Sequence, residues 1–272
     1  MPEGPECLYI RDCLEKLLKE KSLSKVNIIS GRYNRHGPPK GWIDLEAQLK
    51  EGPLKIIKIG CKGKFLYWIF ENQSSLWITL GMSGQWTNYY MGHCHIEFTL
   101  TDNEKIYFRD VRNFGTLKYM KQIDLLHKKL ETLGYDILNP IPLSNTKCLQ
   151  VFKKRLNMNI CRFLMLQTHF SGVGNYIKSE ALHIAKIHPF SNIKKIPDQQ
   201  LLDLYQALQM IAKISYLAKD NSIRNPDQNK GKYSFSFKVY SQTKFGDYRV
   251  ENGKTPDNRT SFWISELVTL YD

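Results

Sequence analysis

The hydrophobic period of this chain switches between helix and strand, and that switching limits its fold more than any other feature. From Val26 to about Met120, segments such as LKIIKIGC, KFLYWIF, SLWITLG, HIEFTL and IYFRD are short and rich in β-branched and aromatic residues. Gly, Asn or Asp bounds them. Short strands in succession predict a β-sandwich. Before them, residues 5–20 place Cys7, Ile10, Cys13, Leu14, Leu17 and Leu18 on one helical stripe. Pro5 suits the first turn, where its missing N–H costs nothing. After them, residues 122–150 read as a mostly polar helix and then a linker, with Pro140 and Pro142 marking the break.

Residues 147–218 return to helical spacing, interrupted by GVGN at 172–175. From about 232 the pattern is β again, in YSFSFKVY, YRVENGK and RTSFWI, with Asn252-Gly253 as a hairpin-turn signal. The polar, Gly/Pro-punctuated stretch 219–232 reads as a mobile loop. The class is therefore α+β. An N-terminal helix and β-sandwich occupy 1–130, a linker 131–146, and a helical domain 147–272, ending in antiparallel hairpins from about 232.

Composition narrows the function. The chain carries 39 Lys+Arg against 26 Asp+Glu, a net charge of +13, which favours a polyanionic partner such as nucleic acid. No apolar run is long enough for a membrane helix, so no membrane partner is expected. The acidic start MPEGPE is unlike a secretory leader, which points to an intracellular, reducing setting. The six cysteines, at 7, 13, 61, 94, 148 and 161, form no CxxC pair. They read as reduced structural residues. His93-Cys94-His95 cannot converge on a metal from one strand, because alternate side chains face opposite ways. No metal and no other cofactor is expected.

The start of the chain offers chemistry. Methionine before proline is normally removed, which leaves Pro2 with a free secondary amine. An α-amine titrates near 7.7–8.0 and a lysine near 10.4, so at neutral pH the α-amine is free base roughly several hundred-fold more often. Such an amine can attack C1′ of a deoxyribose, displace a base and form an iminium, an electron sink of the kind Schiff-base lysines provide. Glu3 stands beside it as a candidate general acid/base. Glu6, one helical turn on, is a candidate to orient the terminus or its substrate.

Further motifs join this one. Lys64 lies in Lys62-Gly63-Lys64-Phe65-Leu66. Downstream come Leu80-Gly81-Met82-Ser83-Gly84, then Asp110-Val111-Arg112-Asn113-Phe114-Gly115, then Ser171-Gly172-Val173-Gly174-Asn175-Tyr176-Ile177-Lys178-Ser179-Glu180. With MPEGPE, this set resembles the Fpg/Nei family, the formamidopyrimidine-DNA glycosylases and endonuclease VIII-like enzymes, over nearly the whole chain.

The resemblance implies that Pro2 is the nucleophile, Glu3 the acid/base and Lys64 the essential hairpin lysine, bound to a phosphate beside the lesion. Met82, Arg112 and Phe114 would fill the gap left by a flipped-out nucleotide, offsetting part of an extrusion that costs a few kcal/mol. The Gly-Val-Gly-Asn run would open a helix–two-turn–helix in which Asn175 and backbone N–H groups bind phosphate, with Glu180 supporting the motif from inside.

The chain departs from the family in two places. It has no cysteine after Cys161, so the four-cysteine zinc finger of many relatives cannot form. Residues Thr255–Trp263 nevertheless resemble that finger's second hairpin, a zincless finger with Arg259 reaching flanking phosphates. Leu166 stands where bacterial relatives often carry aspartate.

The function implied is a bifunctional DNA glycosylase and abasic-site lyase of base excision repair. It would remove oxidised bases, pyrimidines favoured, through a Pro2 Schiff base, and cut by β,δ-elimination. The expected partner is damaged double-stranded DNA, with single-stranded DNA a further candidate, for a monomer working in the nucleus of a eukaryote, in cytoplasm or at a viral replication site. Lesion preference would rest on residues 219–232. The competing reading is a catalytically inactive damaged-DNA-binding protein, which would need neither Glu3 nor a free Pro2 amine.

Overall fold

The computed structural model describes residues 2–218 and 235–272. The loop expected at 219–232, and the lesion preference assigned to it, lie outside the described residues. Two compact units are present. One comprises Pro2 and Glu6–Thr132; the other comprises Glu3–Pro5 and the described residues from Leu133 onward.

α1 (Gly4–Leu18), in the first unit from Glu6 onward, buries Cys7, Ile10, Leu14 and Leu18. The stripe is narrower than the sequence suggests, since Leu17 is exposed. Eight strands follow, β1 (Ser22–Ile28), β2 (Leu54–Lys62), β3 (Phe65–Phe70), β4 (Ser75–Thr79), β5 (Gly84–Thr87), β6 (Cys94–Leu100), β7 (Lys105–Asp110) and β8 (Thr116–Met120). The short helix α2 (Arg32–Arg35) and α3 (Trp42–Glu51) connect β1 to β2, and α4 (Ile123–Glu131) follows β8.

The sheet order is β5-β7-β6-β1-β2-β3-β4-β8. Trp68 of β3 meets Trp86 of β5 at 5.1 Å and Phe98 of β6 at 5.3 Å between ring centroids. These strands are not ladder neighbours, so the sheet doubles over and closes a core between its halves. That is the sandwich the alternating strands predict.

The second unit is helical, with α5 (Asn145–Lys153), α6 (Ile160–Met165), α7 (Asn175–Ile184) and α8 (Asp198–Ala218). The segment read as a linker also contributes β9 (Tyr135–Asp136), which pairs in parallel with β10 (Phe170–Ser171), just before the glycine turn. Four short strands complete the unit, β11 (Lys244–Phe245), β12 (Tyr248–Arg249), β13 (Glu251–Lys254) and β14 (Thr260–Trp263).

Two local expectations are overturned here. Asn252-Gly253 is not a turn. Both residues lie inside β13, opposite Phe262 and Ser261. The turn falls at 255–259 instead, where Thr255 and Asp257 supply side-chain acceptors and donors to the backbone. YSFSFKVY is not a strand over its described part, 235–240. The N–H groups of Lys238, Val239 and Tyr240 all donate to the Glu180 carboxylate, at 2.8–3.1 Å. A segment whose donors converge on one side chain has none left for a ladder.

Candidate functional site

The chain start is held in place. Glu3 is 1% exposed. Its carboxylate accepts the N–H of Tyr176 at 2.9 Å and that of Ile177 at 3.3 Å. These are among the first N–H groups of α7, which lack partners within their own helix. A carboxylate there satisfies them and complements the positive end of the helix dipole. The N–H of Gly4 donates to the Gly172 carbonyl at 2.9 Å. The approach is close: a Cβ at 174 would stand 2.1 Å from the Glu3 carboxyl carbon, so a side chain there would push Glu3 off the α7 N–H groups. Pro2 is the next residue outward.

In the first unit, Lys64 occupies a two-residue turn between β2 and β3, whose last pair is Lys62 with Phe65. Gly63 takes the positive φ, 57°, that such a turn needs at its first position. Glu6 is half-buried on α1.

Met82, Arg112 and Phe114 are brought together by one buried residue, Asp110, at 1% exposure. Its carboxylate accepts from the Ser83 hydroxyl, from the Arg112 N–H at 3.2 Å and from the Gly115 N–H at 2.6 Å. The Ser83 oxygen in turn accepts from Arg112 N–H at 2.8 Å. The Met82 turn and the Arg112–Phe114 turn are thus tied to one acceptor. Gly81, at φ 57°, packs so tightly that a Cβ would lie 2.6 Å from the Phe114 carbonyl carbon. Phe114 is 54% exposed, and the Arg112 guanidinium lies 5.4 Å from its ring centroid.

Beside this loop lies a hollow of about 670 Å³, lined in part by Arg32, Arg35, His36, His93 and Arg112, with no acidic residue in its wall. The Asn113 side-chain oxygen accepts from the Arg32 N–H at 3.2 Å, which ties the two basic loops together. Arg32, Arg35 and His36 belong to none of the sequence motifs. Their only signal is basic clustering in a short polar loop. His93 precedes β6 with φ 70°, and the His95 Nε2–H donates to the Asp110 carbonyl at 2.8 Å. Among the described residues, no group of three or more His, Cys, Asp or Glu is placed to hold a metal ion.

In the second unit, Asn175 is the first residue of α7. Its amide donates to the Thr260 carbonyl at 2.8 Å, so part of the donor capacity expected to face phosphate holds the finger hairpin instead. Arg259 is exposed in the turn between β13 and β14. The Asp257 beside it is buried and paired with Lys178, at 2.6 Å. In the sequence, Lys178 and Asp257 stand out only as members of their motifs.

Residues 1–117 match the model of the formamidopyrimidine-DNA glycosylase N-terminal domain. Lactococcus lactis Fpg bound to abasic-site DNA superposes with a TM-score of 0.84 at 20% identity, covering 98% of this chain and 99% of that one. The same enzyme with DNA containing an oxidised pyrimidine gives 0.83 at 20%, covering 98% and 100%. The fold is that of Lactococcus lactis Fpg. The formamidopyrimidine-DNA glycosylase of Rickettsia bellii is 32% identical over 255 residues, 89% of each chain. The chain belongs to the formamidopyrimidine-DNA glycosylase family. It is a DNA-binding enzyme of base excision repair, a DNA N-glycosylase with abasic-site lyase activity.

Proposed function

We propose that this enzyme removes oxidised bases through the amine of Pro2, with pyrimidines preferred. One observation carries the reading: Glu3 and Gly4 are fastened to the turn and first N–H groups of α7, so Pro2 is a placed group rather than a frayed end. The Pro2 lone pair attacks C1′, the glycosidic bond breaks, and the base leaves with a proton. Opening of the sugar ring gives the iminium. Loss of a C2′ proton then expels the 3′ phosphate, and loss of a C4′ proton expels the 5′ phosphate. Water finally releases the amine.

Glu3 carries protons between these steps. Lys64 on its turn holds a phosphate next to the lesion as a point charge, and Glu6 orients the start of the chain. Met82, Arg112 and Phe114 occupy the space of the extruded nucleotide. Asn175 and Arg259 grip flanking phosphates. No metal takes part, and the enzyme acts as a monomer on duplex DNA inside the cell, with single-stranded DNA as a further substrate. The pyrimidine preference follows the endonuclease VIII-like, zincless form of the C-terminal hairpin.

The test is Glu3→Gln, which keeps one acceptor for the α7 N–H groups. Base excision from duplex DNA should fall about 100-fold or more, with DNA affinity changed only a few-fold. Wild-type excision rates would remove Glu3 from the chemistry.

A further inference from the structure

Lys178 and Asp257 form a buried ion pair that nothing in the reaction uses. The lysine side chain is 0% exposed and the aspartate 2%. Removing two charges from water is costly, so a pair like this persists only with good geometry and further hydrogen bonds. Both are present. Lys178 Nζ donates to Asp257 Oδ2 at 2.6 Å. Asp257 Oδ1 faces the Thr255 hydroxyl at 2.5 Å and the Arg259 N–H at 3.4 Å. Burial alone would raise the Asp257 carboxyl; the hydrogen bonds from Lys178 and Thr255 outweigh it and hold the group below its ordinary value.

The network surrounds one residue. The Arg259 carbonyl accepts from the Thr255 N–H at 3.0 Å and faces the Thr255 hydroxyl at 3.0 Å. Ser261 Oγ lies 2.7 Å from that hydroxyl. On the other side of Arg259, the Thr260 carbonyl takes the Asn175 amide. Asn175 and Lys178 are three residues apart on α7 and so share a face. Two side chains of one helix therefore fasten the turn on either side of Arg259.

We infer that Lys178 and Asp257 are positioning residues for DNA binding, a charged staple that sets the pose from which Arg259 meets a backbone phosphate. This rests on reading Arg259 as a phosphate contact. The staple acts through the turn and touches no DNA itself.

A double-mutant cycle tests it, with the full chain and a duplex carrying a tetrahydrofuran abasic analogue. Arg259→Ala should weaken binding about tenfold, as expected for a charged hydrogen bond. It should also lower the slope of log K against log salt by about 0.9, one phosphate contact. Lys178→Met should do the same on both counts. The double variant should be no worse than either single one, because both remove one contact. For Lys178→Met, whose side chain touches neither DNA nor the reacting atoms, the borohydride-trapping rate at saturating abasic DNA should stay at the wild-type level. Where Lys178→Met does not fold, Asp257→Asn, nearly isosteric, takes its place in the cycle with the same expectations.

Additive losses, or a Lys178 variant with wild-type affinity and salt slope, would overturn the staple. An Arg259→Ala variant that binds like wild type would instead overturn the phosphate reading of Arg259 on which the staple depends.

Discussion

Two turns in this molecule are each organised by a buried aspartate, and they differ in what balances it. Asp110 is held by neutral donors, a hydroxyl and two backbone N–H groups, all within 27 residues of it. Asp257 is held by its own turn and by an ammonium 79 residues away. The first arrangement is local and makes rigid a turn that carries an exposed phenyl ring. The second joins a hairpin to a helix, and the cationic partner is what makes a buried carboxylate tolerable there. Neutral donors suffice when several converge; with fewer, a countercharge is needed.

The largest test of this contrast is stability. Removing one member of the buried pair, by Lys178→Met or Asp257→Ala, should cost about 3–5 kcal/mol in urea denaturation, because it strands a charge. Asp110→Ala strands only neutral donors, two of them near water, and should cost about 1–3 kcal/mol. The reverse order would break the comparison.

Next in size is a functional split. Phe114→Ala should slow excision of a base from duplex DNA about tenfold, since part of a few-kcal/mol extrusion is no longer offset. Cleavage at a preformed abasic site, which has no base to extrude, should change less. Equal losses on both substrates would remove the wedge role.

The smallest effect is on pH. The folded-state pKa of Asp257 lies below its ordinary value, so its contribution is fully present above the unfolded pKa, near 4. It is lost as pH falls through the folded value. Wild-type stability should therefore decline more steeply below about pH 4 than that of Lys178→Met/Asp257→Leu. Parallel acid curves for the two proteins would deny the pair its charge.

The family resemblance implied a β-hairpin at Lys64 and a helix opening at Asn175, and the structure has a two-residue turn at Gly63-Lys64 and α7 starting at Asn175. The α+β class and the sandwich follow from the change of hydrophobic period. What was hidden depends on distant partners. Nothing near Glu3 announces that it accepts from N–H groups 173 and 174 residues on. Lys178 looks like any helical lysine until α7 proves buried from Tyr176 to Leu182. YSFSFKVY has the composition of a strand, yet Glu180 claims three of its donors. Asn252-Gly253 is a good turn pair displaced by a better turn, at Thr255–Arg259, with side chains to close it.

In the proposed mechanism Pro2 makes the covalent bond. Borohydride trapping of untagged protein on DNA carrying either an abasic site or thymine glycol tests it most directly, since reduction of the iminium welds protein to DNA. A covalent band is expected with both substrates, lost when the N-terminus is blocked. A band that survives blocking would contradict Pro2 as the nucleophile. No band with either substrate, alongside tight salt-sensitive binding, would contradict the enzyme and leave a protein that binds damaged DNA without cutting it.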